Sequence, residues 1–163
     1  MGIVGCPRIV HDPATGWSQG YAEENFRRSA GSGMIHRLVV YLWSLPTTAI
    51  GLCLGMPALV SGGRMQWVDG VLEIHGGFVT YFLSEWTLLE GGASAMTLGH
   101  VVLGRDRGCL DWSRAHERVH VRQCERWGPF FLPAYGIASI VVKLRGGDAY
   151  RDNPFEREAY EVS

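Results

Sequence analysis

The longest feature of the hydrophobic pattern is a gap in charge. From Leu38 to Val60 there is no charged residue, and the run VVYLWSLPTTAIGLCLGMPALV is long enough to cross a hydrocarbon core. Pro46, Thr47, Thr48, Gly51, Gly55 and Pro57 dilute it, so the competing reading is a buried helix pair broken at a proline. The absence of charge favours one membrane span, with residues 36–62 as the membrane segment. Arg27, Arg28 and Arg37 before it and Arg64 after it bias the N-terminus toward the cytoplasm. Residues 1–35 hold Gly, Ser, Pro and charges with no sustained apolar period and read as an extended polar tail.

Downstream, MQWVDGVLEIHG alternates about Asp69-Gly70, a dipeptide suited to a two-residue hairpin turn because both central positions take positive φ. Ala95 to Leu103 predicts one strand, ended by the polar turn Gly104-Arg105-Asp106. A helix follows over 111–127, with Asp111 as N-cap and Gly128-Pro129 as stop. Phe130 to Leu144 is apolar, helical in length and shorter than a full span, which suits a core or interfacial helix. Asn153-Pro154 opens a last helix by pairing a capping residue with proline at the first helical position.

The chemistry lies in the helix over 111–127. His116-Glu117-Arg118-Val119-His120 fits H-E-x-x-H, and the i, i+4 spacing points both imidazoles the same way about one turn apart. Two nitrogens can then share one Zn2+, while Glu117, offset by one residue, serves as general base toward a water there. Trp112, Ala115, His116, Val119, His120, Gln123 and Trp127 fall on one face, expected to be the buried one. Catalytic zinc usually takes three protein ligands, and Glu156 on the last helix is the candidate third. Glu158 competes for that role, rotated by roughly 200° about the helix axis. A further alternative is a capping box, in which Glu156 bonds the amide of Asn153 instead of a metal. Gln123 and Glu125 are candidates for supporting the ligands, whereas His75 and His100 read as ordinary packed histidines.

HERVH at 116–120 followed by NPFEREAY at 153–160 resembles the gluzincin pattern of H-E-x-x-H plus E-x-x-A, shared by thermolysin-like and membrane-bound HtpX-type or CAAX-type proteases. The resemblance implies an α+β, zincin-like core of short antiparallel strands, a metal-binding helix and following helices over residues 63–163. It implies His116, His120 and Glu156 as zinc ligands, Glu117 as the catalytic residue and a peptide or protein as substrate. Tyr160 stands where that family often has aspartate, and Tyr135 and Tyr150 are the candidates for stabilising a transition state. The family's substrate-holding edge strand would correspond, by order, to 95–103. The chain is also similar to small bacterial proteins with the same C-terminal block, which implies a bacterial inner-membrane location.

Composition narrows the partners. Fifteen Lys+Arg against 16 Asp+Glu give a net charge of -1, which lacks the basic footprint of sequence-independent nucleic-acid binding. Charged residues make up only 19% and apolar ones 47%, a balance that points to lipid or a large protein partner. The four cysteines form no C-x-x-C pair. Two functions therefore stand as expectations: a membrane-associated zinc metallopeptidase-like protein, or a non-catalytic assembly subunit of a membrane complex built on the same core.

Overall fold

The structure is a computed structural model that describes residues 33–87 and 91–162. The polar tail expected for 1–35 falls almost wholly outside these residues; the first described helix begins at Met34. Helix α1 (Met34–Trp43) and helix α2 (Leu45–Val60) are followed by strands β1 (Arg64–Val68) and β2 (Val71–His75). Then come α3 (Phe78–Glu85), β3 (Ala95–Leu98), β4 (Val101–Gly104) and α4 (Arg107–Trp127). A single 3-10 turn (Gly128–Phe130) leads into α5 (Phe131–Leu144), and α6 (Pro154–Val162) closes the described chain.

The class is α+β, but the sheet is mixed and not wholly antiparallel. Its order is β1-β2-β4-β3, with β2 and β4 parallel and the outer pairs antiparallel. The helix α3 and strand β3 lie between β2 and β4 in sequence, and this gives the chain enough length to bring β4 back alongside β2. Asp69 and Gly70 have φ of 48° and 81°, so the expected hairpin turn forms and β1 pairs with β2 from Arg64↔His75 to Val68↔Val71. The single strand expected over 95–103 is instead a second hairpin, broken at Gly99-His100. Gly99 has φ of +65°, and a side chain there would meet the backbone nitrogen of Thr48 at 2.6 Å.

Each face of the sheet buries a different set of alternating residues. Ile74, Leu98, Val101 and Leu103 pack with Ala58 of α2 and Val79 and Leu83 of α3. Val71 and Val102 face the other way, against Leu110 and Val121 of α4. Between that face and α4 lies Glu73, only 1% exposed. It accepts two hydrogen bonds of 3.0 Å from Arg114 and one of 2.7 Å from Gln66. A buried carboxylate without such partners would be strongly destabilising, so this pair fixes the helix on the sheet.

The charge-free run is therefore not one straight span. It bends by 65° between α1 and α2. Ser44 marks the break, with Pro46 in the first turn of α2. Helix α2 presses Thr47, Gly51, Gly55 and Ala58 onto the sheet. A side chain at Gly51 would meet Val101 at 2.8 Å and one at Gly55 would meet Ile74 at 2.5 Å, so the two glycines set this close approach. Segment 36–62 thus shares a core with 63–163. The run Arg107–Leu144, which joins α4 to α5, is long and apolar enough to cross a membrane, and only 11% of its most apolar stretch is buried.

Candidate metal centre

Helix α4 begins one turn earlier than its sequence signals. Asp106 is the N-cap, its Oδ1 accepting from the Cys109 amide at 2.8 Å, while Asp111 lies inside the helix and bonds Arg114. The C-terminal stop falls at Gly128, as expected, with φ of 55° and the Trp43 ring against it. The buried side is broader than the expected stripe. Trp112 and Trp127 are exposed, whereas Leu110, Ser113, Glu117, Val121 and Cys124 are buried. The cause is that α4 has two partners, the sheet along the Glu117 side and α6 along the His116–His120–Gln123 side.

Helix α6 brings its glutamate to the histidines. Glu156 Oε2 lies 3.1 Å from His116 Nε2, Glu156 Oε1 lies 3.4 Å from His120 Nε2, and the two imidazole Nε2 atoms are 3.1 Å apart. Asn153 caps α6 by accepting from the Phe155 amide, and its own amide donates to Tyr150, so the capping-box alternative for Glu156 is not the geometry seen. Glu158 points elsewhere, to Gln123 at 3.0 Å and Arg126 at 3.4 Å. Among the described residues, His116, His120 and Glu156 are the group of three or more His, Cys, Asp or Glu side chains positioned to hold a metal ion.

Three neighbours set the state of these donors. Gln123 donates its amide N–H groups to Phe155 O and Glu158, which turns its Oε1 toward His120 Nδ1 at 2.8 Å. That oxygen can only accept, so Nδ1 carries a proton in either charge state of the ring, and it is Nε2 that gains or loses the second proton and offers its lone pair to the centre when the ring is neutral. Tyr135 donates its hydroxyl to Glu156 Oε1 at 2.7 Å. Glu117 is buried beside the centre, and its Oε2 accepts from Thr97 Oγ1 of β3 at 2.7 Å.

The donor set fits a tetrahedral cation. Nitrogen and oxygen ligands about 2.0–2.1 Å from zinc are separated by roughly 3.3 Å along a tetrahedral edge, close to the 3.1 Å between the two Nε2 atoms, and the Glu156 carboxylate sets one oxygen near each imidazole. The electrostatics agree. Without a cation, burial lowers the His120 pKa, but the hydrogen bond to Glu156 and the charge of Glu117 outweigh burial and lift it to about 9. Burial likewise raises Glu156, yet hydrogen bonds from His116 and His120 bring it down to about 2. The His120 shift thus reflects negative charge gathered beside a buried imidazole, an environment that also attracts a cation.

The sign of the resulting pH dependence follows. His120 is raised from 6.5, so its stabilisation is complete below about pH 6.5 and is lost as pH rises through about 9. Glu156 is lowered from 4.5, so its contribution is present above about pH 4.5 and is lost as pH falls through about 2. Thermal unfolding in chelator is expected to show this part of the stability declining between pH 6.5 and 9. With zinc the trend over the same range is expected to reverse, because zinc displaces the proton more easily as pH rises. Parallel trends in chelator and zinc would count against the shared site.

Gln123 was legible as a supporting residue, whereas Thr97 carried no signal in sequence. Its role depends on β3 lying against α4, which no local pattern encodes. Gln123→Leu keeps the volume but leaves His120 Nδ1 without its acceptor, so zinc affinity is expected to fall about 10–100-fold in a chelator competition titration. Glu125 does not support the centre; it meets His100 at 3.1 Å, where Ser44 holds the other ring nitrogen at 3.0 Å. His75 also lies outside the centre. Tyr160 sets its ring 4.7 Å from that of His116. Tyr135 is occupied with Glu156, and Tyr150 is half-buried, with desolvation pushing its hydroxyl pKa up. Cys124 is buried too, its thiol raised to about 12, and takes no part in the cluster. The chain matches no family model, no curated protein and no solved structure.

Proposed function

We propose that this chain is a membrane-associated zinc metallopeptidase-like protein that hydrolyses peptide bonds. The observation that carries the reading is the meeting of Glu156 with both histidines of HERVH, 40 and 36 residues away in sequence, beside a buried Glu117. A Zn2+ held by His116, His120 and Glu156 would supply Lewis acidity, drawing the pKa of a water toward neutrality and polarising a peptide carbonyl. Glu117 is the chain's own base. Thr97 holds its Oε2, which leaves Oε1 to accept a proton from the attacking water and return it to the departing amine. Strand β3 is the sheet edge nearest this carboxylate, and its outer backbone groups suit pairing with an extended peptide. The test is release of new amino termini from an unstructured protein such as casein by the zinc-loaded chain, against the chelated chain and the Glu117→Gln variant.

Membrane association rests on exposed apolar surface. Helix α1 buries none of its residues and exposes Met34, Ile35, Leu38, Val39 and Leu42, while α5 exposes Ile137, Ile140 and Leu144. The end of α1 meets the 3-10 turn that precedes α5, where the Trp43 and Phe130 rings lie 6.2 Å apart. Patches of this kind mark lipid or protein contact, and dependence on detergent during purification is the expected result.

The same surface also favours a second reading, a non-catalytic subunit of a membrane complex in which the metal acts as a fold staple. Stoichiometric partners on purification, together with full function of the Glu117→Gln variant, would select it over the peptidase.

A further inference from the structure

At the end of the sheet where β1 begins and β2 stops, Arg64 and His75 stand opposite each other in register. A cleft of about 420 Å³ opens there, lined by Arg64, His75, Arg107, Gln66, Met65 and two glycines. Arg107 starts α4 and lies nine residues before His116, about 13 Å away along the helix, so the cleft is separate from the metal centre. No carboxylate lines it among the described residues.

Each polar group has a definable state. The Gln66 amide is committed to Glu73, and Glu73 is matched by Arg114 and Arg118, so no uncompensated acid stands behind the cleft. Arg107 meets Asp111 only at 3.9 Å with both side chains well exposed, a contact weak enough to yield to a better anion. His75 has its Nδ1 buried with no hydrogen-bond partner. A buried N–H left unpaired is costly, so the ring proton belongs on Nε2, and that edge becomes a donor.

We propose that this cleft is a phosphoryl-binding site, in which Arg64, Arg107 and His75 Nε2 hold the anionic oxygens of a phosphate ester. Three donors from separate elements suit the several oxygens of a tetrahedral anion, and guanidinium groups pair with phosphate in bidentate fashion. The volume also accommodates the organic group that carries the phosphate. Val60, 91% exposed, and Met65, 55% exposed, place apolar surface in the same stretch of chain, so the ester comes either from a lipid headgroup or from a soluble metabolite.

The experiment uses the full chain and two kinds of probe. Inorganic phosphate and glycerol 1-phosphate are titrated by calorimetry, and phosphatidylcholine vesicles with and without phosphatidate are used in co-sedimentation. The Arg64→Gln/Arg107→Gln double variant is expected to weaken binding about tenfold or more. His75→Gln, which keeps a donor, should bind better than His75→Leu. Both arginines are exposed, so an unchanged circular dichroism spectrum and zinc content should accompany the loss and separate this site from the metal reading. Capture by phosphatidate vesicles that the double variant abolishes identifies a lipid headgroup; variant-sensitive binding of the soluble phosphates alone identifies a small ester. Absence of binding to every probe, or binding that the double variant leaves unchanged, overturns the proposal.

Discussion

Replacing Glu117 by glutamine is expected to leave zinc binding intact and to lower kcat for peptide hydrolysis by about 10²–10⁴-fold, the usual contribution of a positioned base. Glutamine preserves the volume and still accepts from Thr97, so the packing of α4 on β3 survives. What it lacks is a basic oxygen. Because Glu117 is not among the metal-holding atoms, the zinc content should match the unsubstituted chain. The decisive readout is therefore the split between retained metal and lost turnover. Equal turnover in the variant would remove Glu117 as the base, and loss of zinc would move it into the ligand set.

Glu156→Ala has the other large expected effect. In the intact chain, zinc at about a thousand times its Kd should raise stability by about 4 kcal/mol, because the ion binds the folded form. The variant keeps two imidazoles and loses the carboxylate that draws them together, and zinc should then give little or no rise in the unfolding temperature. Removing a ligand is expected to exceed the 10–100-fold loss typical of a supporting residue. Tyr135 is left without its acceptor, but its ring still packs against Phe131 and Phe155, so the metal-free variant is expected to fold. Glu158→Ala serves as the control: it touches Gln123 and Arg126, and its effect on zinc should be small. A zinc-dependent stabilisation that survives Glu156→Ala and disappears in Glu158→Ala would reverse the assignment.

The elements that the sequence made legible are those fixed by local chemistry. Asp69-Gly70 dictated a hairpin, Gly128 a helix end, Asn153-Pro154 a helix start, and H-E-x-x-H a pair of imidazoles on one face. Elements that depend on distant contacts are less legible. Asp106 and Asp111 are both plausible caps by residue type, and only the fold of β4 into α4 selects the first. The break at Gly99 follows from Thr48 of α2 crowding the turn, a neighbour 51 positions away. The parallel pairing of β2 with β4 has no signature in either strand. The prolines and glycines of the charge-free run left a buried helix pair open as an alternative, but not what it would pack on; the spacing of Gly51, Gly55 and Ala58 is what permits α2 to lie on the sheet. Within the site, His116 and His120 were fixed by spacing. The choice of Glu156 over Glu158 needed the loop and α5 to set the rotation of α6.

The most direct test of the central claim is X-ray absorption at the zinc edge of the loaded full-length chain. The account expects a shell of light atoms only, at about 2.0–2.1 Å, carrying the outer scattering of two imidazoles and losing one of them in His120→Ala. A sulfur shell at about 2.3 Å, or imidazole scattering unchanged by His120→Ala, would contradict it.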